Sequence, residues 1–193
     1  RNLALGYLVA TGEERWRAAA REQFAGADNM TDRIGALRAL MPLDCAERDE
    51  ALAAFEAQWS DEPEVMDKWL ALQAGSPETG GLETVQRLMA HPVFSLRNPN
   101  RVRAVLAAFA RGNPYRFHAR DGSGYAFLAA RVRELDGINP QIAAALAKAL
   151  ARHEHFDEHR AALMRDALAE IRDQPGLSRD TYEIVAKSLE GVG

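Results

Sequence analysis

Residues 98–146 read NPNRVRAVLAAFARGNPYRFHARDGSGYAFLAARVRELDGINPQIAAAL, and three Asn-Pro pairs punctuate them: Asn98-Pro99, Asn113-Pro114 and Asn139-Pro140. An Asn side chain caps a helix by accepting a backbone N–H. Proline suits the first helical position, where its missing N–H has no partner to lose. Each pair therefore marks a helix start. Asp121 marks a fourth, because Gly122 and Gly124 interrupt the chain just before a new apolar period. Between these starts the apolar residues recur at helical spacing. Val102, Val105, Leu106 and Phe109 form one stripe, Tyr125, Leu128, Val132 and Leu135 a second, and Ile142, Leu146, Ala149 and Leu150 a third. Arg101 and Arg103 flank the first stripe on either side.

The same stretch segregates charge. Residues 97–133 hold eight arginines against one acid, Asp121, a net +7 in a chain whose total is −4, which leaves −11 elsewhere. Such a distribution predicts an anionic partner for this face. A solvated face is the plain alternative. A third reading, a concave basic surface tracking nucleic-acid phosphates, is disfavoured by the overall negative charge, the scarcity of lysine and the lack of a series of stacking aromatics.

Outward from this stretch the chain remains helical. Alanine (36) and leucine (21) dominate while isoleucine and threonine number five each, which favours helix over sheet. Residues 1–9 are apolar with no capping residue before them, so the chain is expected to begin inside a larger helical array. Trp16, Ala20 and Phe24 share a face. Asn29 opens a helix carrying Met30, Ile34, Leu37 and Met41, and Asp44 with Glu47 reads as a capping pair before Leu52, Phe55 and Trp59. Residues 60–63 start a helix with Met66, Trp69 and Leu70. Gly75-Ser76-Pro77 and Gly80-Gly81 read as the loosest segment, followed by a helix with Leu82, Val85 and Met89. Near the C-terminus Asp157 caps a helix with Met164, Ala167, Leu168 and Ile171. Ser178 caps the last one, with Tyr182, Val185 and Leu189 inward and Gly191 at its end. No strand pattern occurs. About twelve short helices joined by short loops predict an all-α fold, an irregular α-solenoid of stacked helical hairpins forming a single domain over 1–193.

Candidate chemistry is sparse. His155-Phe156-Asp157-Glu158-His159 matches H-x-x-E-H, but that motif needs both histidines one turn apart on one helix. With Asp157 as N-cap, His155 falls outside it. Cys45 is alone, which excludes an internal disulfide and fits a reducing compartment such as the cytoplasm. It reads as a structural thiol. Asp121-Gly122-Ser123-Gly124 reads as a turn, not a hydrolase elbow, because no strand precedes it. Arginine outnumbers lysine 21 to 3, so most basic groups are planar forks suited to carboxylate or phosphate. No apolar run approaches the roughly 20 residues of a membrane span.

The run VMDKWLALQA at 65–74, with NPNRVRAVLAAF, NPYRFHARDGSGYAFL and NPQIAAAL in the same order and spacing, resembles the C-terminal helical domain of the aminopeptidase N branch of the M1 zinc aminopeptidase family. The resemblance covers nearly the whole chain. It implies a C-terminal fragment of a larger enzyme that removes N-terminal amino acids from peptides. This domain would cap the active site and shape the substrate-access cavity. It also implies that the catalytic domain and its zinc lie upstream on the same polypeptide, since the H-E-x-x-H motif of the family is absent here. No cofactor is expected in this chain. Carried over by motif, Arg103 would line the cavity and Gln141 would border its access channel, with Arg101 a weaker candidate. Ala145 departs from the family, which often has arginine four residues after that glutamine. The competing reading is a free-standing helical-repeat module that binds an acidic protein, peptide or nucleic acid.

Overall fold

The computed structural model describes residues 1–79 and 81–190, so Gly80 and the helix end expected at Gly191 lie outside the described residues. Thirteen α-helical segments follow one another: α1 (Asn2–Val9), α2 (Glu14–Gly26), α3 (Met30–Leu40), α4 (Ala46–Trp59), α5 (Pro63–Ala74), α6 (Leu82–Met89), α7 (Pro99–Val102), α8 (Ala108–Gly112), α9 (Pro114–Phe117), α10 (Ser123–Asp136), α11 (Pro140–Ala147), α12 (Glu158–Arg172) and α13 (Arg179–Glu190). There is no strand among the described residues. A π-helical turn, Arg103–Ala107, joins α7 to α8, and a 3₁₀ turn, His153–His155, precedes α12.

The helix starts are where local chemistry places them. Asn98, Asn113 and Asn139 each accept a backbone N–H from the first turn they cap, and each is followed by proline. Asp157 and Ser178 cap α12 and α13 in the same way. At the fourth start Asp121 accepts from Ser123 N and Ser123 Oγ, while Gly122 takes a left-handed φ of 71°. Gly124 lies so close to the preceding turn that a Cβ there would stand 2.3 Å from the Phe117 carbonyl oxygen. Only glycine allows that approach.

Helices pack on near neighbours in sequence: α1 and α2 on α3, α4 on α5, α5 on the π turn, α10 on α11 and α12, and α11 and α12 on α13. Among the described residues the longest-range side-chain hydrogen bonds, Arg160 to His118 and Ser178 to Asp136, bridge only 42 residues. Contacts confined to a short sequence distance are the signature of a solenoid. One apolar core runs through the array from Leu5 to Val185 and contains the three central stripes.

Three expectations are corrected. Asp44 and Glu47 form no capping box: Cys45 takes the N-cap position, and the Asp44 carboxylate instead meets Arg48 at 3.0 Å. The segment after α5 is not loose where it is described. Ser76 is buried, its Oγ and that of Thr79 both donate to the Met41 carbonyl, and Asn113 Nδ2 donates to the Ser76 carbonyl at 2.7 Å. The last helix buries Val185 and packs Leu189 against the core as expected, but not Tyr182. Tyr182 is 50% exposed, and Thr181 is buried in its place, its hydroxyl bonded to the Pro140 carbonyl of α11. A short side chain with a satisfied hydroxyl lets the two helices approach where a tyrosine ring would hold them apart.

Candidate functional site

The basic stretch lies on the α7–π–α8 helix and the turns after it. Asn98 sets its entry by accepting from Asn100 N and Arg101 N at 3.0 and 3.4 Å. Two residues apart on a helix, Arg101 and Arg103 point about 200° apart, and they meet different surroundings. Arg101 is buried, with Nε donating to the Val93 carbonyl, Nη1 to the Pro63 carbonyl at 2.7 Å, and Nη1 also to the Asp67 carboxylate. Its guanidinium ties α7 to the first turn of α5 and to the connection before α7. Arg103 is exposed, and among the described residues its one side-chain bond goes to the neutral Asn100 Oδ1 at 3.2 Å.

Gln141 is exposed in the first turn of α11, one turn before Ala145 on the same face. Arg111, at the end of α8, donates from Nη2 to the Ala145 carbonyl at 2.6 Å. That bond fixes the helix carrying Arg103 to the helix carrying Gln141, a role for Arg111 that composition alone does not reveal. Arg116 reaches the other way, to the carbonyls of Pro77 and Glu78 at 3.0 and 2.9 Å. Asn113 is wholly buried between these arms, capping α9 through Oδ1 and bonding the Ser76 carbonyl through Nδ2.

The other candidate strings resolve into structure. His155 sits in the 3₁₀ turn and His159 in α12, separated by the Asp157 cap, so they do not share a helix. His159 Nε2 bonds the Arg120 carbonyl at 2.8 Å. Among the described residues no three His, Cys, Asp or Glu side chains are grouped to hold a metal. Burial pushes the half-buried Cys45 thiol up, which keeps it protonated and unreactive. Trp69 is a core residue that donates Nε1 to the Leu52 carbonyl, and Trp16 and Trp59 pack partly buried against the same core. No described helix is long and apolar enough to cross a membrane.

The fold and its arginine-rich face define an ARM-type helical-repeat domain. The chain belongs to the family described as a domain of unknown function (DUF3458_C) with ARM repeats, which matches residues 1–190, and it is the C-terminal domain of M1 aminopeptidase N-like proteins. It is 40% identical over 189 residues to aminopeptidase N of Escherichia coli, and 40% identical over 190 residues to that of Haemophilus influenzae. In both cases 98% of this chain is covered and 22% of the relative. A crystal structure of Legionella pneumophila aminopeptidase A in complex with aspartic acid superposes with a TM-score of 0.91 at 33% identity, covering 99% of this chain and 22% of that one. The chain thus spans about a fifth of the length of these relatives (22%).

Proposed function

We propose that this domain closes over the catalytic domain of an aminopeptidase N-like enzyme and lines the cavity through which peptides reach the zinc. In this reading Arg103 and Gln141 face that cavity, and the whole protein works in the cytoplasm, a compartment the unpaired Cys45 suits. The observation that carries it is the contrast at the π turn. Arg101 is fully engaged inside the fold, while Arg103 projects a guanidinium whose only partner among the described residues is neutral. An exposed cation with no carboxylate beside it suits the carboxylate of a bound peptide. Arg101 then acts as the buried brace that holds the π turn, not as a lining group. The zinc and its ligands belong to the catalytic domain, because the one motif here that invites a metal divides its histidines between a 3₁₀ turn and a helix.

The whole enzyme carrying Arg103→Ala tests this. A charge-assisted hydrogen bond to a ligand is worth about 1.5–3 kcal/mol, so kcat/KM for a dipeptide should fall roughly ten- to a hundredfold. An amino-acid anilide, which lacks the free carboxylate, should be hydrolysed almost as before, and the melting temperature should not move. Equal losses on both substrates together with a lowered melting temperature would remove Arg103 from the cavity.

A further inference from the structure

Away from Arg103, the turn between α9 and α10 and the entry to α12 enclose an open cleft of about 780 Å³. Three arginines line it, Arg116, Arg120 and Arg160, against one carboxylate, Asp157. Two of the three are fixed in place, Arg116 by neutral carbonyls and Arg160 by a carbonyl and a carboxylate. Arg116 uses Nε and Nη2 on Pro77 and Glu78, and Arg160 uses Nε on the His118 carbonyl at 2.8 Å and Nη1 on Asp157 at 2.7 Å. Carbonyls hold a guanidinium without cancelling its charge. Among the described residues the side chain of Arg120 makes no hydrogen bond or ion pair, and its backbone carbonyl accepts from His159. With Asp157 offsetting one of the three, about two positive charges remain at the cleft.

The donors left over indicate what they suit. On Arg116 and Arg160 the Nε–H is already taken, and each keeps N–H groups on its terminal nitrogens. Donors from three separate guanidinium groups around one cleft can each meet a different oxygen of a tetrahedral oxyanion. His118 also lines the cleft, its Nδ1 2.8 Å from the Tyr125 hydroxyl and its ring stacked on Phe156 at 4.2 Å. At the rim the Tyr115 ring is 67% exposed, with the Arg116 guanidinium 5.2 Å from its centroid.

We propose that this cleft binds the phosphoryl group of a small phosphorylated ligand, with Arg116, Arg120 and Arg160 as its donors and Tyr115 as an aromatic face beside them.

Calorimetric titration of the chain with pyrophosphate, adenosine diphosphate and citrate at one ionic strength tests the assignment. Pyrophosphate should saturate a single site and bind more tightly than citrate. Arg120→Gln, which breaks no hydrogen bond of the fold, should weaken pyrophosphate roughly tenfold, the worth of one charge-assisted hydrogen bond, with the melting temperature of the free chain unchanged. Arg116→Gln should weaken it as well. Adenosine diphosphate binding more tightly than pyrophosphate, with the gain lost in Tyr115→Ala, would assign the site to nucleotides. Equal affinities would assign it to phosphates that carry no base. Undiminished pyrophosphate binding by Arg120→Gln, or citrate binding as tight as pyrophosphate, would overturn the proposal, the latter by showing a merely cationic surface.

Discussion

The arginines of the N-terminal helices and those of the central turns have different partners. Around α1 to α4 they meet acids: Arg1 pairs with Asp32 at 2.6 Å, Arg15 with Glu13 at 2.9 Å and Arg21 with Glu50 at 3.0 Å, all on the surface. Through the central turns they meet carbonyls instead. Arg111 bonds Ala145 and Arg116 bonds Pro77 and Glu78, while Arg160 bonds His118 as well as Asp157 and Arg101 bonds Val93 and Pro63 as well as Asp67. The first region neutralises its charge as it folds. The second uses guanidinium groups as struts between turns and keeps most of their charge, so the positive excess of the sequence persists as a positive face. Stability and field are therefore coupled in the centre and nearly independent at the N-terminal end.

Arg101→Ala should break this contrast most severely. It removes a buried guanidinium and leaves Asp67 and two carbonyls without their donor, a change of the kind that costs about 3–5 kcal/mol. Chemical denaturation should show the loss, whereas Arg21→Ala in the same assay should move stability by less than about 0.5 kcal/mol, as exposed pairs do. Asn113→Ala comes next. It deletes a cap and a buried bond to Ser76 together, for roughly 2–3 kcal/mol, against about 1 kcal/mol for the exposed cap Asn98. A similar loss at the two asparagines would show that the tie to Ser76 contributes nothing.

A smaller effect depends on pH. Burial first, and the Arg160 charge second, hold the His118 imidazole below its usual range. Above about pH 6.5 the ring is neutral in both states, and the stability linked to it is fully present. As pH falls from there through the depressed folded value, the unfolded chain takes up the proton first, and that stability is lost. Melting temperatures between about pH 5 and 7 should fall with acid, and His118→Gln should flatten the slope. Asp121 and Asp157 are held below the ordinary carboxylate range by their bonds to Ser123 and Arg160, so their loss belongs to a lower window. The smallest difference is local. The amides of α1, which has no side-chain cap and leaves Leu3 and Tyr7 75% and 71% exposed, should exchange hydrogen well before those of residues 100–110. Equal protection would show α1 to be as firmly held as the centre.

What could be read from the sequence was whatever is decided within one turn. The Asn-Pro starts, the caps at Asp157 and Ser178 and the three central stripes depend on residues three or four apart, so their spacing already contains the answer. The separation of His155 from His159 followed from the same local reasoning. Tertiary contacts decided the rest. The Asp44 carboxylate went to Arg48 because a guanidinium in reach competes with an N-cap, and Thr181 displaced Tyr182 because α11 needed a close neighbour. The π turn that begins at Arg103 leaves no mark in apolar periodicity. The sequence by itself determined that this chain is a row of capped helices with a basic centre. Only the tertiary structure decided which arginines became struts and which, like Arg103 and Arg120, stayed exposed. That choice depends on carbonyls up to about forty residues away (42 for Arg160), a distance no local pattern encodes.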